Sequence, residues 1–129
     1  MPNNVIFDYD RASKILFVED HWDIKTKQDV DDFFAEYDRQ MKQIGEKFWM
    51  VAHIDGLAIH AEIVEYYGEA ARRATSDLLL GLARWGTDSV VRMSLRTTAM
   101  KSGMPYNIYS SREEAIRAVE KMKAEGVKK

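Results

Sequence analysis

A chain of 129 residues with 46% hydrophobic and 31% charged side chains has the make-up of one globular domain with its own apolar core. It contains no cysteine, which excludes disulfides, thiolate metal sites and a cysteine nucleophile. A net charge of −2 argues against nucleic acid as a partner, because phosphate neutralisation needs a basic surface.

The charge is unevenly spread. Residues 1–71 carry 15 acidic and 7 basic side chains, a balance of −8, and residues 72–129 carry 6 and 12, a balance of +6. Folding that interleaves the two halves would erase this; a dipolar surface that steers a charged partner or a second copy would keep it. Met1-Pro2-Asn3-Asn4 leads straight into a strand-like run with no charged n-region or apolar h-region. No signal peptide is expected. The apolar runs are too short to span a bilayer, so the expectation is a cytoplasmic protein without integral membrane contact.

In chain order, Val5–Tyr9 reads as a strand, Asp10–Ser13 as a turn and Lys14–Glu19 as a second strand, together an antiparallel hairpin. Thr26, with Asp29 three residues on, opens a helix as a short capping box. Val30, Phe33, Phe34, Tyr37, Met41 and Ile44 then recur at helical spacing until Gly45. Phe48–Ile54 is a nearly unbroken apolar run, as a strand buried on both faces requires. Asp55-Gly56 is expected to bend and end that strand through turn chemistry and positive φ. A second helix is expected from about Ile59 to Thr75, with Tyr66, Tyr67 and Ala70 on one side.

Leu78–Arg84 reads as another buried strand. Residues 89–97 fit both strand alternation and a helical face. Thr87 as a cap, Asp88 at the positive helix start and Gly103 as terminator favour helix. Tyr106–Tyr109 reads as a short strand. Ser111-Arg-Glu-Glu114 opens a last helix by a capping box, and residues 124–129 form a tail expected to fray. The expected order is β-β-α-β-α-β-α-β-α: one α/β domain with a mixed, mainly parallel sheet and helices packed on it.

That order, with Asp55-Gly-Leu-Ala-Ile-His-Ala61 after the third strand and Ile108-Tyr-Ser-Ser-Arg-Glu-Glu-Ala-Ile116 at the end, resembles the STAS fold of bacterial anti-sigma-factor antagonists. It resembles more closely the STAS-like group of small bacterial proteins, distantly akin to CRAL-TRIO lipid-binding domains. The resemblance implies a non-enzymatic regulatory or interaction module. The lipid-domain kinship implies, as an alternative, a carrier or sensor of a small apolar or acidic-headed ligand. One departure matters. True antagonists carry a phosphorylatable serine in the turn after this strand, whereas residues 55–61 contain no hydroxyl. The phosphorylation switch does not carry over.

Ligands of open α/β sheets tend to sit beyond the carboxyl ends of the parallel strands. Residues 19–23, 55–60, 84–88 and 110–112 are therefore expected to cluster there. The candidate ligand- or partner-binding residues are Asp55, Gly56, His60, Arg84, Trp85, Thr87, Tyr67 and Met100. Arg84 and Trp85 supply a guanidinium and an indole in a loop whose free backbone N–H groups would favour an anion. In the carrier reading an apolar tail lies near Tyr67 and Met100, with Arg84 facing the head group. An imidazole side chain can serve as a base, but His60 has no nucleophile at a recognisable spacing, so no catalytic residue is assigned. His21, His53 and His60 with Asp20, Asp23 and Asp55 match no metal-ligand spacing, and His53 reads as a hydrogen-bonded strand residue. Arg92 and Arg96 read as a solvated face. Met93 and Met100, off the Val91/Leu95 face, could line an apolar cavity or a subunit contact. No metal or cofactor is expected, and a homodimer is.

Overall fold

The computed structural model describes residues 3–74, 77–102 and 108–126, without the side chains of residues 94, 98, 99, 101 and 102. Strand β1 (Asn4–Asp10) turns through Asp10–Lys14 into β2 (Ile15–Ile24). Helix α1 (Lys27–Ile44), β3 (Phe48–Ile59), α2 (Val64–Ala74), β4 (Leu79–Trp85), α3 (Ser89–Ser102), β5 (Ile108–Tyr109) and α4 (Arg112–Ala124) follow. The five strands form one sheet in sequence order. β1 runs antiparallel to β2, and every later pair is parallel. This is the expected α/β class with a mixed, mainly parallel sheet.

Local chemistry accounts for the helix ends. Thr26 Oγ1 accepts from the Asp29 amide at 3.1 Å, and the Asp29 carboxylate accepts from the Thr26 amide in return. Gly45 ends α1 at φ +65°, a conformation that costs a side-chain-bearing residue. In α4 the Ser111 hydroxyl accepts from the Glu114 amide, and Glu114 reaches back to the Ser110 amide. The ambiguous segment at 89–97 is helical. Its cap is Asp88, which accepts from the amides of Val90 and Val91, and not Thr87, the cap expected from the sequence.

Helices α1, α2 and α3 cover one face of the sheet, and α4 alone covers part of the other. The larger core therefore lies under α1–α3. There Leu16, Val18, Trp22 and Ile24 of β2 and Phe48, Met50, Ala52, Ile54, Leu57 and Ile59 of β3 meet Phe33, Tyr37 and Tyr67. Phe33 touches Trp22, Phe34, Tyr37 and Tyr67, with ring centroids 5.0–6.1 Å apart. Under α4, Trp49, Val51 and Ala83 pack on Ala115 and Val119.

The structure corrects the reading of Asp55-Gly56. It does not end β3, which continues to Ile59; a single 3₁₀ turn, Ala61–Ile63, then leads into α2 at Val64. Glu19 pairs with His53 and His21 with Gly56, so three residues of β3 advance against two of β2. The pair is thus a β-bulge, with Ile54 and Asp55 facing one residue, Asp20. The glycine is needed for close approach and not for positive φ. A Cβ at Gly56 would lie 2.5 Å from His21 Nδ1 and 2.6 Å from the Asp20 carbonyl oxygen.

Three boundaries also move. Strand β2 reaches Ile24, so residues 19–23 lie inside a strand and not in a rim loop. Helix α2 starts five residues later than expected, because Ile59 is still in the sheet. Strand β4 starts at Leu79, with Leu78 in the preceding turn. The expected helix end at Thr75, the terminator Gly103, the strand residues Tyr106 and Asn107, and residues 127–129 of the tail lie outside the described residues.

Candidate functional site

The residues singled out from the sequence fall in four places. Asp55, Gly56 and His60 line an open hollow of about 370 Å³ at the sheet rim, together with Asp88, Val90 and Val91. Arg84 and Tyr67 line a cavity of about 70 Å³ between the helical face of the sheet and helices α1–α3. Trp85 lies on the α4 face, stacked on His53 with ring centroids 3.9 Å apart and planes within 4°. Met100 is exposed on α3 and lines none of these.

At the rim, Asp55 acts as a local clamp. Its carboxylate accepts from the backbone amides of Thr87 (2.9 Å) and Asp88 (2.9 Å) and from the Thr87 hydroxyl (3.2 Å). His53 Nε2 lies 3.2 Å from its Oδ2. Burial by itself would raise the Asp55 carboxyl, but the Asp88 and Thr87 amides, His53 and the Thr87 hydroxyl together hold it below the ordinary value. Gly86 lets this loop close on Asp55, since a Cβ there would lie 2.6 Å from Asp55 Oδ1.

These bonds overturn one expectation. The amides of Gly86, Thr87 and Asp88, between β4 and α3, are not open to an anion: Gly86 donates to the Tyr109 carbonyl, and Thr87 and Asp88 donate to Asp55, while Val90 and Val91 donate to Asp88. Two carboxylates already occupy the start of α3. Arg92 is likewise not a free solvated cation, because its Nη1 donates to the carbonyls of Gly86 (2.9 Å) and Tyr109 (3.0 Å) and ties the loop to β5. Its neighbour Arg96 is exposed.

His60 Nε2 lies 2.8 Å from Asp23 Oδ1, joining the ends of β2 and β3 at an exposed position. That hydrogen bond is the main cause holding the Asp23 carboxyl below its ordinary value. His53 is half-buried, between Trp85 and Asp55. Among the described residues no group of three or more His, Asp or Glu side chains is placed to hold a metal ion.

The cavity under α1–α3 has apolar walls, including Phe33, Met50, Ile54, Leu57 and Leu95, and a polar end formed by Asp20, Tyr37, Tyr67 and Arg84. Asp20 is only 4% exposed. The Tyr37 hydroxyl donates to its Oδ1 at 2.5 Å. Burial pushes the Asp20 carboxyl up to about 6, against the lowering pull of the Tyr37 hydroxyl and the Arg84 guanidinium. Tyr37 itself is held well above the ordinary phenol value by burial and by the Asp20 charge.

The sequence reading assigned no binding role to Asp20 or Tyr37. A signal was available: Leu16, Val18, Trp22 and Ile24 are buried on one phase of β2, and Asp20 is the acidic residue on that phase. Met93 and Met100 do not line this cavity. With Val90 they stand exposed on α3, and Met93 and Val90 border a second open hollow of about 300 Å³ with Ile59, Ala61, Val64 and Thr97. Among the described residues no helix is long and apolar enough to cross a membrane.

Among the described residues, the fold and these sites define an α/β protein with a small cavity of apolar walls and a polar end, and with exposed apolar side chains along α3. No family model, curated protein or solved structure matches the chain.

Proposed function

We propose that the chain is a non-enzymatic interaction module of the STAS-like type that pairs with a second copy of itself through α3. Support for the STAS-like part comes from the initial hairpin and the alternation of strands and helices that follows it. The observation that carries the interaction reading is the outer face of α3. Val90, Met93 and Met100 are 73%, 68% and 78% exposed, although Val91 and Leu95 of the same helix are buried. With Thr97 they follow the 3-4-3 spacing by which one helix packs along another. Under a two-fold axis the stripe meets itself, Val90 opposite Met100 and Met93 opposite Thr97. Light scattering tests this. Wild type is expected as a dimer, and Met93→Lys as a monomer that keeps the wild-type far-UV circular dichroism, because Met93 is 68% exposed and its loss removes the pairing rather than the fold. A wild-type monomer at all workable concentrations removes the pairing.

A second reading, a carrier or sensor of a small apolar or acidic-headed ligand, is supported by the cavity that Arg84 and Tyr67 line. Its volume of about 70 Å³ limits the ligand to a few heavy atoms, since an engineered apolar cavity of about 150 Å³ accommodates benzene. A long acyl tail has no room. Native mass spectrometry of freshly purified protein is expected to show a small bound mass in this reading; a bare chain counts against it.

A further inference from the structure

We infer that the cavity between the sheet and helices α1–α3 is a binding site for a small neutral molecule with a carboxamide-type head, its carbonyl accepting from Arg84 and its N–H donating to Asp20. This rests on the second reading above and replaces its acidic head group with a neutral one.

Three observations lead there. The first is the polar end of the cavity, where one anion and one cation stand with Tyr37 and Tyr67 among apolar walls, and no ion pair or hydrogen bond joins Asp20 to Arg84 among the described residues. Asp20 is bonded to the Tyr37 hydroxyl, and among the described residues no ion pair or hydrogen bond joins the Arg84 guanidinium to a partner. A carboxylate accepts more than one hydrogen bond, and a guanidinium carries five donors, so both groups keep capacity for a further partner in the cavity they line.

The second is charge balance. An ionised Asp20 and Arg84 cancel, so an added carboxylate or ammonium would bring an unpaired charge into a chamber walled by Phe33, Met50, Leu57 and Leu95. A head group that accepts on one side and donates on the other meets both residues without adding charge. Carboxamides, ureas and lactams share that edge. The third is size. About 70 Å³ suits such a head with a short apolar body and excludes anything much larger. Around the chamber, Ala71, Ala74, Leu79 and Leu82 are only partly buried, so the lining reaches toward solvent between α2 and β4.

The test uses the full chain, labelled with ¹³C at its methyl groups, and three probes of equal size: propionamide, butanone and propionate, at pH 8. Propionamide is expected to shift the methyl signals of Met50, Ile54, Leu57 and Leu95 together. Butanone replaces the amide NH₂ with CH₃ and so cannot donate; it is expected to bind at least tenfold more weakly. Propionate brings the extra charge and is expected to be weaker by at least the same factor. Asp20→Asn and Arg84→Met should each shrink the preference for propionamide over butanone; the comparison among probes on wild type stands even where a variant fails to fold.

Butanone binding as tightly as propionamide overturns the inference, because the chamber would then recognise apolar volume alone. Propionate binding more tightly overturns it in favour of the acidic-headed ligand, and leaves the second reading standing. No shift of the cavity methyls with any probe overturns the inference and the second reading together.

Discussion

Asp55 offers the sharpest perturbation, because one side chain holds a strand and a helix start together. Replacing it with alanine removes acceptors from the Thr87 amide, the Asp88 amide and the Thr87 hydroxyl, and the partner of His53 Nε2. Hydrogen bonds to a charged group contribute about 1.5–3 kcal/mol each when the partners stay dry. Thr87 and Asp88 are exposed, so water takes over part of what the carboxylate supplied. Counting about 1 kcal/mol for each of the two amides and less for the hydroxyl and the imidazole gives a loss of about 2–3 kcal/mol. For a domain of this size that lowers Tm by about 8–12 °C.

Urea unfolding followed by tryptophan fluorescence measures the loss directly, as a lower midpoint at unchanged slope. Asp55→Asn keeps one acceptor oxygen and should recover about half of it. The pH dependence follows from the depressed carboxyl. Stabilisation by Asp55 is present above the ordinary carboxylate value of 3.8 and is lost as pH falls through the lower folded value. The gap between wild type and Asp55→Ala should therefore close in acid. A variant within about 0.5 kcal/mol of wild type at pH 7 would refute the clamp, since that is the scatter of neutral surface substitutions.

Asp20 should behave in the opposite sense. Its carboxyl sits at about 6 in the folded chain against an ordinary 3.8, so between these values the folded chain holds a proton that the unfolded chain has released. Stability falls as pH rises through that window, by roughly 3 kcal/mol. Asp20→Asn should remove the slope, and identical pH profiles for the two proteins would contradict the buried carboxyl. Gly56→Ala forces a methyl to within 2.6 Å of the Asp20 carbonyl oxygen, a backbone atom that no rotamer change can move. A loss of about 2–3 kcal/mol is expected by urea titration, and an unchanged midpoint would exclude the close approach at the bulge. Phe33→Ala removes the ring that Trp22, Phe34, Tyr37 and Tyr67 all touch, with an expected cost of about 3–5 kcal/mol. A cost below about 1 kcal/mol would mean that those rings do not form one core.

Local chemistry was legible in the sequence wherever neighbours along the chain decide the outcome. The Thr26/Asp29 box, the αL glycine at position 45 and the apolar period between them define α1 by interactions that span a few residues. The continuous apolar run from Phe48 announced a strand covered on both faces, and α4 does cover Trp49 and Val51 on the side opposite α1–α3. Ends and destinations were different. Asp-Gly reads as a turn on its own; only the pairing with β2 makes it a bulge, because Asp20 and His21 approach Gly56 from 35 or more residues away in the chain. Arg84 and Trp85 are adjacent in sequence, yet strand alternation sends one into the cavity and the other onto His53, so a single loop site was never available to them. Asp20 acquires its meaning from Tyr37 on α1 and Arg84 on β4, three elements brought together by folding alone. Periodicity and capping are short-range and survive in a string of letters. Burial, charge pairing and the shape of a cavity belong to surfaces that exist only after the sheet and its helices have closed on one another.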